Sequence, residues 1–149
     1  MVRGALVAAA YVAVSYALAP ISFGPLQFRA AEGLTLLPIL FPEAVPGLFL
    51  GCLAANLIGP YGLPDIVLGS LTTLAAAIVT RVFRRSAVAY VAPIVLNALF
   101  VSAYLTFLTG VPYWALALSI GASEAASVLA IGVPLLKFMR RRWQGGTGV

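Results

Sequence analysis

Apolar residues fill most of the chain in long runs, which short groups of proline, glycine and charged residues interrupt. If each interruption marks a helix end, the pattern predicts six helices, at residues 4–19, 29–41, 44–58, 65–83, 87–108 and 112–139. A helix needs about 20 apolar residues to cross a bilayer, so we expect either that neighbouring helices enclose the shorter second and third ones or that irregular backbone facing a cavity extends them. The pattern therefore predicts an all-α membrane protein, a bundle of about six transmembrane helices that forms one domain over residues 1–149.

The composition supports a membrane location and excludes most catalytic chemistry. Apolar residues make up 62% of the chain and charged residues 9%, whereas a soluble domain carries about 25% charged residues. The chain has no histidine and one cysteine, Cys52. These numbers exclude a Ser-His-Asp triad, a Cys-His pair, an internal disulfide and a multi-thiolate zinc site. We therefore expect that the chain is not an enzyme and that it holds no metal centre or cofactor.

The net charge of +5 is explained by membrane orientation better than by nucleic-acid binding. The basic residues cluster at the ends of the fourth and sixth predicted helices, at positions 81–85 and 137–142, while the predicted outer loops 20–28, 59–64 and 109–111 contain no lysine or arginine. This asymmetry follows the positive-inside rule and predicts that both termini are cytoplasmic. The run at 4–19 has the length of a signal peptide, but the spans that follow favour a first membrane helix.

Several polar residues lie within the apolar runs, where an ionisable group costs at least about 2.5 kcal/mol. Glu124 is about 18 Å along its helix from Pro112, near the bilayer centre. Phe100 and Tyr104 follow Asn97 on the same helical face, which predicts an aromatic wall beside that amide. These positions predict an outward-facing polar pocket above an apolar inner half. Its candidate binding residues are Arg29, Glu32, Asn56, Asp65, Asn97 and Glu124.

Each candidate also has a purely structural explanation. Arg29 and Glu32 are three residues apart on one face, so they either pair with each other or contact a ligand. Asp65 is placed to cap the fourth helix or to lie in its first turn, and each asparagine can bond a neighbouring helix. Glu124 can lock the bundle as a protonated carboxyl or as a partner of Arg29. The residues alone leave these alternatives open.

Small residues recur every four positions on two helices, which allows close helix packing. The first helix carries Ala5, Ala9 and Ala13, and the third carries Gly47 and Gly51. We expect internal packing for the glycine stripe. The alanine stripe suits either internal packing or a partner protein.

Five segments together resemble the QueT family, the substrate-binding S components of energy-coupling factor transporters. They are PISFGPLQFRAAEGLTLLP at 20–38, GLFLGCLAAN at 47–56, DIVLGSLTT at 65–73, PIVLN at 93–97 and GASE at 121–124. The resemblance implies an S component with six helices that binds queuine or a related 7-deazaguanine from outside. It also implies a transmembrane T subunit and two cytoplasmic ATPase subunits as partners, with the alanine stripe contacting the T subunit.

We expect a carboxylate, Glu124 first and Glu32 second, to accept hydrogen bonds from the guanine-like N–H edge of the ligand. Asn97 or Asn56 would complete the polar edge, and Asp65 or the remaining glutamate would meet a cationic aminomethyl group. The chain has no G-x-x-x-x-G-K-[ST] phosphate loop, so ATP would be hydrolysed by the partners. Two alternatives remain: an autonomous carrier driven by protons through the two glutamates, and a structural membrane subunit without transport activity.

Overall fold

The computed structural model describes residues 2–22 and 28–145, and this part of the chain is helical, without strands. The six predicted helices are confirmed, with ends that shift by a few residues. The described helices are α1 (Val2–Ala17, followed by a turn at Ala19–Ser22), α2 (Ala30–Ile39), α3 (Ala44–Asn56), α4 (Gly62–Val82), α5 (Val88–Thr109) and α6 (Tyr113–Ser127, Val128–Gly132 and Val133–Gly145). Positions 23–27 of the first family-like segment lie outside the described residues.

The three carboxy-terminal helices, α4, α5 and α6, are long and apolar enough to cross a membrane. Their outward faces are covered by large apolar side chains, and Phe107 is 89% exposed. Such a surface is stable against hydrocarbon and unstable against water. The chain is therefore a membrane protein, as its composition predicts.

Helix α2 lies at the centre of the bundle. It is a 3₁₀-helix whose ten residues, Ala30–Ile39, are all buried. Its carboxy-terminal carbonyls are capped from α4, because the guanidinium of Arg81 donates to the oxygens of Pro38 at 3.1 Å and Ile39 at 3.5 Å. The expected enclosure by neighbours is thus confirmed for α2, whereas α3 buries one face and leaves Leu50 exposed.

Helices α1 and α3 pack closely along the glycine stripe. A Cβ atom at Gly47 would lie 2.5 Å from the carbonyl oxygen of Gly4, and one at Gly51 would lie 2.8 Å from the Cβ of Tyr11. The glycine stripe therefore serves internal packing, as predicted. The opposite face of α1, which carries Ala5, Ala9 and Ala13, is exposed.

Each long helix contains one turn of π-helix, at Asp65–Gly69 in α4, Asn97–Val101 in α5 and Val128–Gly132 in α6. A π-turn places an extra residue in the turn and rotates everything after it relative to a regular α-helix. Two of these turns begin at candidate binding residues, Asp65 and Asn97. Such turns occur often at functional sites.

Candidate functional site

All six candidate residues are buried inside the bundle, although they come from five different helical segments and the residue before α2. Their exposed fractions are 0% for Glu32, Asn56 and Asn97, 1% for Glu124, 3% for Asp65 and 8% for Arg29. Burying this many polar groups is unfavourable unless they are hydrogen-bonded or serve a function. Their hydrogen bonds divide them into an outer network and an inner pair of carboxylates.

The outer network joins the start of α2 to α3, α4 and α5. The Nη2 of Arg29 donates to the Oδ1 of Asn56 at 2.9 Å and contacts the Sγ of Cys52 at 3.7 Å. The Nδ2 of Asn56 donates to the backbone oxygen of Asp65 at 2.9 Å, and the hydroxyl of Tyr104 donates to the Oδ1 of Asp65 at 2.5 Å. These bonds join the ends of α2, α3, α4 and α5 that meet around the arginine.

A glycine makes this network possible. A Cβ atom at Gly69 would lie 2.9 Å from the Nδ2 of Asn56, 2.9 Å from the Oδ1 of Asp65 and 3.0 Å from the hydroxyl of Tyr104. The three polar groups therefore converge on a space that only glycine leaves open.

Glu32 is held by neutral donors from α1 and α4. Its Oε1 accepts from the hydroxyl of Tyr11 at 2.5 Å and from the Oγ1 of Thr73 at 3.2 Å. Its Oε2 is buried and has no partner in the described part of the chain. One carboxylate oxygen is thus fixed, and the other is unused.

The direct Arg29–Glu32 pair, one of the two explanations left open by the sequence, is wrong. Arg29 bonds Asn56 and Cys52, whereas Glu32 bonds Tyr11 and Thr73. The prediction assumed that Arg29 belongs to the helix. It precedes the first turn with φ −86° and ψ 77°, so helical spacing does not align it with Glu32.

Glu124 and Asn97 face each other from α6 and α5. Glu124 interacts electrostatically with Glu32 and Arg29, and the Asn97 amide lies beside it. Neither amide atom of Asn97 meets hydrogen-bond geometry with any described residue, and the Oε2 of Glu124 is equally unpartnered. Unused polar atoms of this kind are rare in folded interiors and mark a place where a ligand or water binds.

Three serine hydroxyls add to the unused polar capacity. The Oγ atoms of Ser70 on α4, Ser102 on α5 and Ser127 on α6 are buried and unpartnered within the described ranges. They lie on the same three helices as Asp65, Asn97 and Glu124. Sequence reasoning missed them, because serine is common in membrane helices and carries no charge that requires a partner.

Two further expectations are corrected by the helix geometry. Asp65 was expected to cap α4 or to lie in its first turn, but α4 begins at Gly62, so Asp65 does not cap it, and its side chain bonds Tyr104. The predicted aromatic wall fails at Phe100, which is 57% exposed, while Val101 is 1% exposed. The π-turn that begins at Asn97 rotates Phe100 outward and brings Val101 inward.

Sequence reasoning also missed Tyr11 and Thr73, which position Glu32. A signal for Tyr11 exists, because the buried residues of α1 are Val7, Tyr11 and Ser15, spaced four apart and increasingly polar. That face lies opposite the exposed alanine stripe. Within the described residues, no group of three or more His, Cys, Asp or Glu residues is arranged to hold a metal ion.

Comparison with known protein families matches residues 1–141 to the family described as QueT transporter. Neither the curated proteins nor the solved structures contain a match to this chain. The match covers every candidate residue, including Glu124 in the GASE segment.

Proposed function

The chain belongs to the QueT transporter family, and from this premise we propose that it is the substrate-binding S component of an energy-coupling factor importer, which captures queuine or a related 7-deazaguanine from outside. The observation that carries the proposal is the enclosed group of unused polar atoms: the Oε2 of Glu32, the Oε2 of Glu124 and the amide of Asn97. A small planar ligand with several N–H donors and a carbonyl acceptor matches that set.

In the proposed complex, Glu124 accepts two hydrogen bonds from the N–H edge of the 7-deazaguanine. Asn97 lies beside this carboxyl, and its amide supplies both a donor and an acceptor for the same edge. Charge-assisted bonds are strong where water is excluded, and Glu124 is 1% exposed. Binding would therefore be tight and selective for the edge pattern of guanine.

The outer network would act as the wall above the ligand. Arg29, Asn56 and Asp65 are already joined by hydrogen bonds in the unliganded protein. The entrance would therefore be ordered before the ligand binds. Arg29 uses only its Nη2 in these bonds, so its other N–H donors could contact the ligand without breaking them.

The proposed partners are a transmembrane T subunit and two cytoplasmic ATPase subunits. The face of α1 with Ala5, Ala9 and Ala13 is exposed, and small side chains let a partner helix approach closely in lipid. We assign this face to the T subunit, with both termini of the chain on the cytoplasmic side. Since the chain lacks a phosphate loop, the ATPases would supply the energy.

One observation favours a second candidate function, an autonomous proton-coupled carrier. Glu32 and Glu124 are buried and interact electrostatically, as carboxylates do in proton relays. Uptake by vesicles that contain only this chain, abolished by an uncoupler, would establish this function.

The first test is calorimetric and thermal-shift binding of the detergent-purified chain against queuine, 7-deazaguanine precursors, guanine and a panel of vitamins. Selective binding of one 7-deazaguanine is the expected result. Selective binding of a vitamin would keep the capture function and replace the ligand. Failure of the folded chain to bind any compound would favour a structural subunit and contradict the proposal.

A further inference from the structure

The formal charges of the enclosed site do not balance. Three carboxyl groups are buried there, those of Glu32, Asp65 and Glu124, against one buried cation, Arg29. If all ionise, the sum is three negative charges and one positive, which leaves −2. Among the described lysine and arginine residues, Arg29 alone is buried, since the others lie at helix ends with side chains that reach the surface.

Arg29 is committed to the outer side of the site. It bonds Asn56, whose own amide bonds the backbone of Asp65, and it interacts electrostatically with the Asp65 carboxyl. The Oδ1 of Asp65 is further satisfied by Tyr104. Arg29 also interacts electrostatically with Glu32 and Glu124, but a single cation cannot neutralise three carboxylates, so a charge deficit remains on the two glutamates.

The hydrogen-bond donors to Glu32 carry no positive charge. Tyr11 and Thr73 are neutral donors, and both act on Oε1. Its Oε2 is buried, unpartnered in the described part of the protein, and close enough to Glu124 for mutual repulsion. A buried carboxylate is stable only with a cation beside it or a proton on it.

We propose that the ligand supplies this cation, so that the site selects 7-deazaguanines that carry a protonated amine over neutral ones, with the amine bound at the Oε2 of Glu32. This inference rests on the proposed function and specifies the substrate class. It assigns Glu124 to the N–H edge and Glu32 to the amine, and it removes Asp65 from that role because Tyr104 and Arg29 already satisfy it.

The test compares two probes of nearly equal size that differ in charge: 7-aminomethyl-7-deazaguanine, a cation, and 7-cyano-7-deazaguanine, which is neutral. Their dissociation constants are measured by calorimetry on the wild-type chain, on Glu32→Gln and on Glu43→Gln. Glu43 is the matched control, because it is a half-buried carboxyl at the start of α3, outside the site. The wild type should prefer the cation by at least about 30-fold, the lower range for a buried charge pair.

In Glu32→Gln the preference should fall to about threefold or less, and in Glu43→Gln it should persist. Equal binding of the two probes by the wild type, or tighter binding of the neutral one, would overturn the inference and leave the proposed function intact. A full preference retained in Glu32→Gln would overturn the assignment to Glu32. If neither probe nor queuine binds the folded wild type, both the proposed function and this inference fail. The wild-type comparison remains decisive even if Glu32→Gln does not fold.

Discussion

Replacing Glu124 with glutamine removes one charge and almost no volume from the centre of the site. In the unliganded protein the Oε2 of this residue has no partner among the described residues and the side chain is 1% exposed. The substitution therefore breaks no bond at that oxygen and removes a buried ionisable group. We expect the thermal stability of the unliganded Glu124→Gln protein to stay the same or rise.

Ligand binding should change in the opposite direction. A hydrogen bond to a charged group contributes about 1.5–3 kcal/mol and a neutral one about 0.5–1.5 kcal/mol. The carboxylate accepts two N–H donors in the proposed complex, whereas glutamine offers one acceptor and presents a donor to the second. The expected loss is about 2 kcal/mol or more, which weakens the dissociation constant about 30-fold.

The assay is calorimetric titration with queuine, or with the 7-deazaguanine that binds best, together with thermal unfolding of the unliganded proteins. Glu43→Gln serves as the control, since it makes the same chemical change outside the site, and its affinity should equal that of the wild type. Unchanged affinity in Glu124→Gln would refute the assignment of this residue to the ligand. A clear drop in the stability of the unliganded variant would show that Glu124 locks the bundle instead.

Three further predictions concern the outer network, the exposed alanine face of α1 and the cap on α2. Gly69→Ala should lower the free energy of unfolding by about 1–3 kcal/mol in denaturation experiments and weaken ligand binding, because the added Cβ meets three groups of the outer network within 3.0 Å. The control is Gly121→Ala, whose Cβ would meet its nearest atom at 3.4 Å. Equal stability of the two variants would contradict the reasoning. Ala9→Trp should leave ligand affinity unchanged and prevent co-purification with the T subunit and ATPases, since Ala9 is exposed on α1; a complex recovered in normal yield would exclude this face as the contact. Arg81→Gln should cost about 1 kcal/mol in thermal unfolding through loss of the cap on α2, whereas the exposed Arg84→Gln should have no measurable effect, and similar values for both would remove the capping role.

Much of the fold follows from features that act along one helix at a time. Apolar run length, proline and glycine punctuation and the basic clusters predict six helices whose ends lie within a few residues of those observed. Rise per residue also converts a position such as Glu124 into a predicted distance from the membrane surface, and that depth stays a prediction. All six polar candidates selected in this way are buried.

The pairing of these residues depends on geometry that the sequence does not display. The Arg29–Glu32 pair was inferred from helical spacing, but Arg29 lies before the helix and has non-helical torsion angles. Phe100 was placed inward by a 3.6-residue period, which the π-turn at Asn97–Val101 interrupts. Long-range partners such as Tyr11 for Glu32 depend on which helices pack together, and a single sequence does not show which helices are neighbours.

Helix α2 has a consequence for how the protein is made. Its ten residues are surrounded by protein, so it offers no face to lipid, and it is too short to span the bilayer alone. The walls that enclose it include α4, α5 and α6, which the ribosome synthesises after it. Helix α2 therefore cannot insert stably until α4, α5 and α6 have been synthesised. Glu32 bonds Tyr11 of α1 and Thr73 of α4, but it meets Glu124 only after α6 has been made, so a truncated chain cannot assemble the complete site.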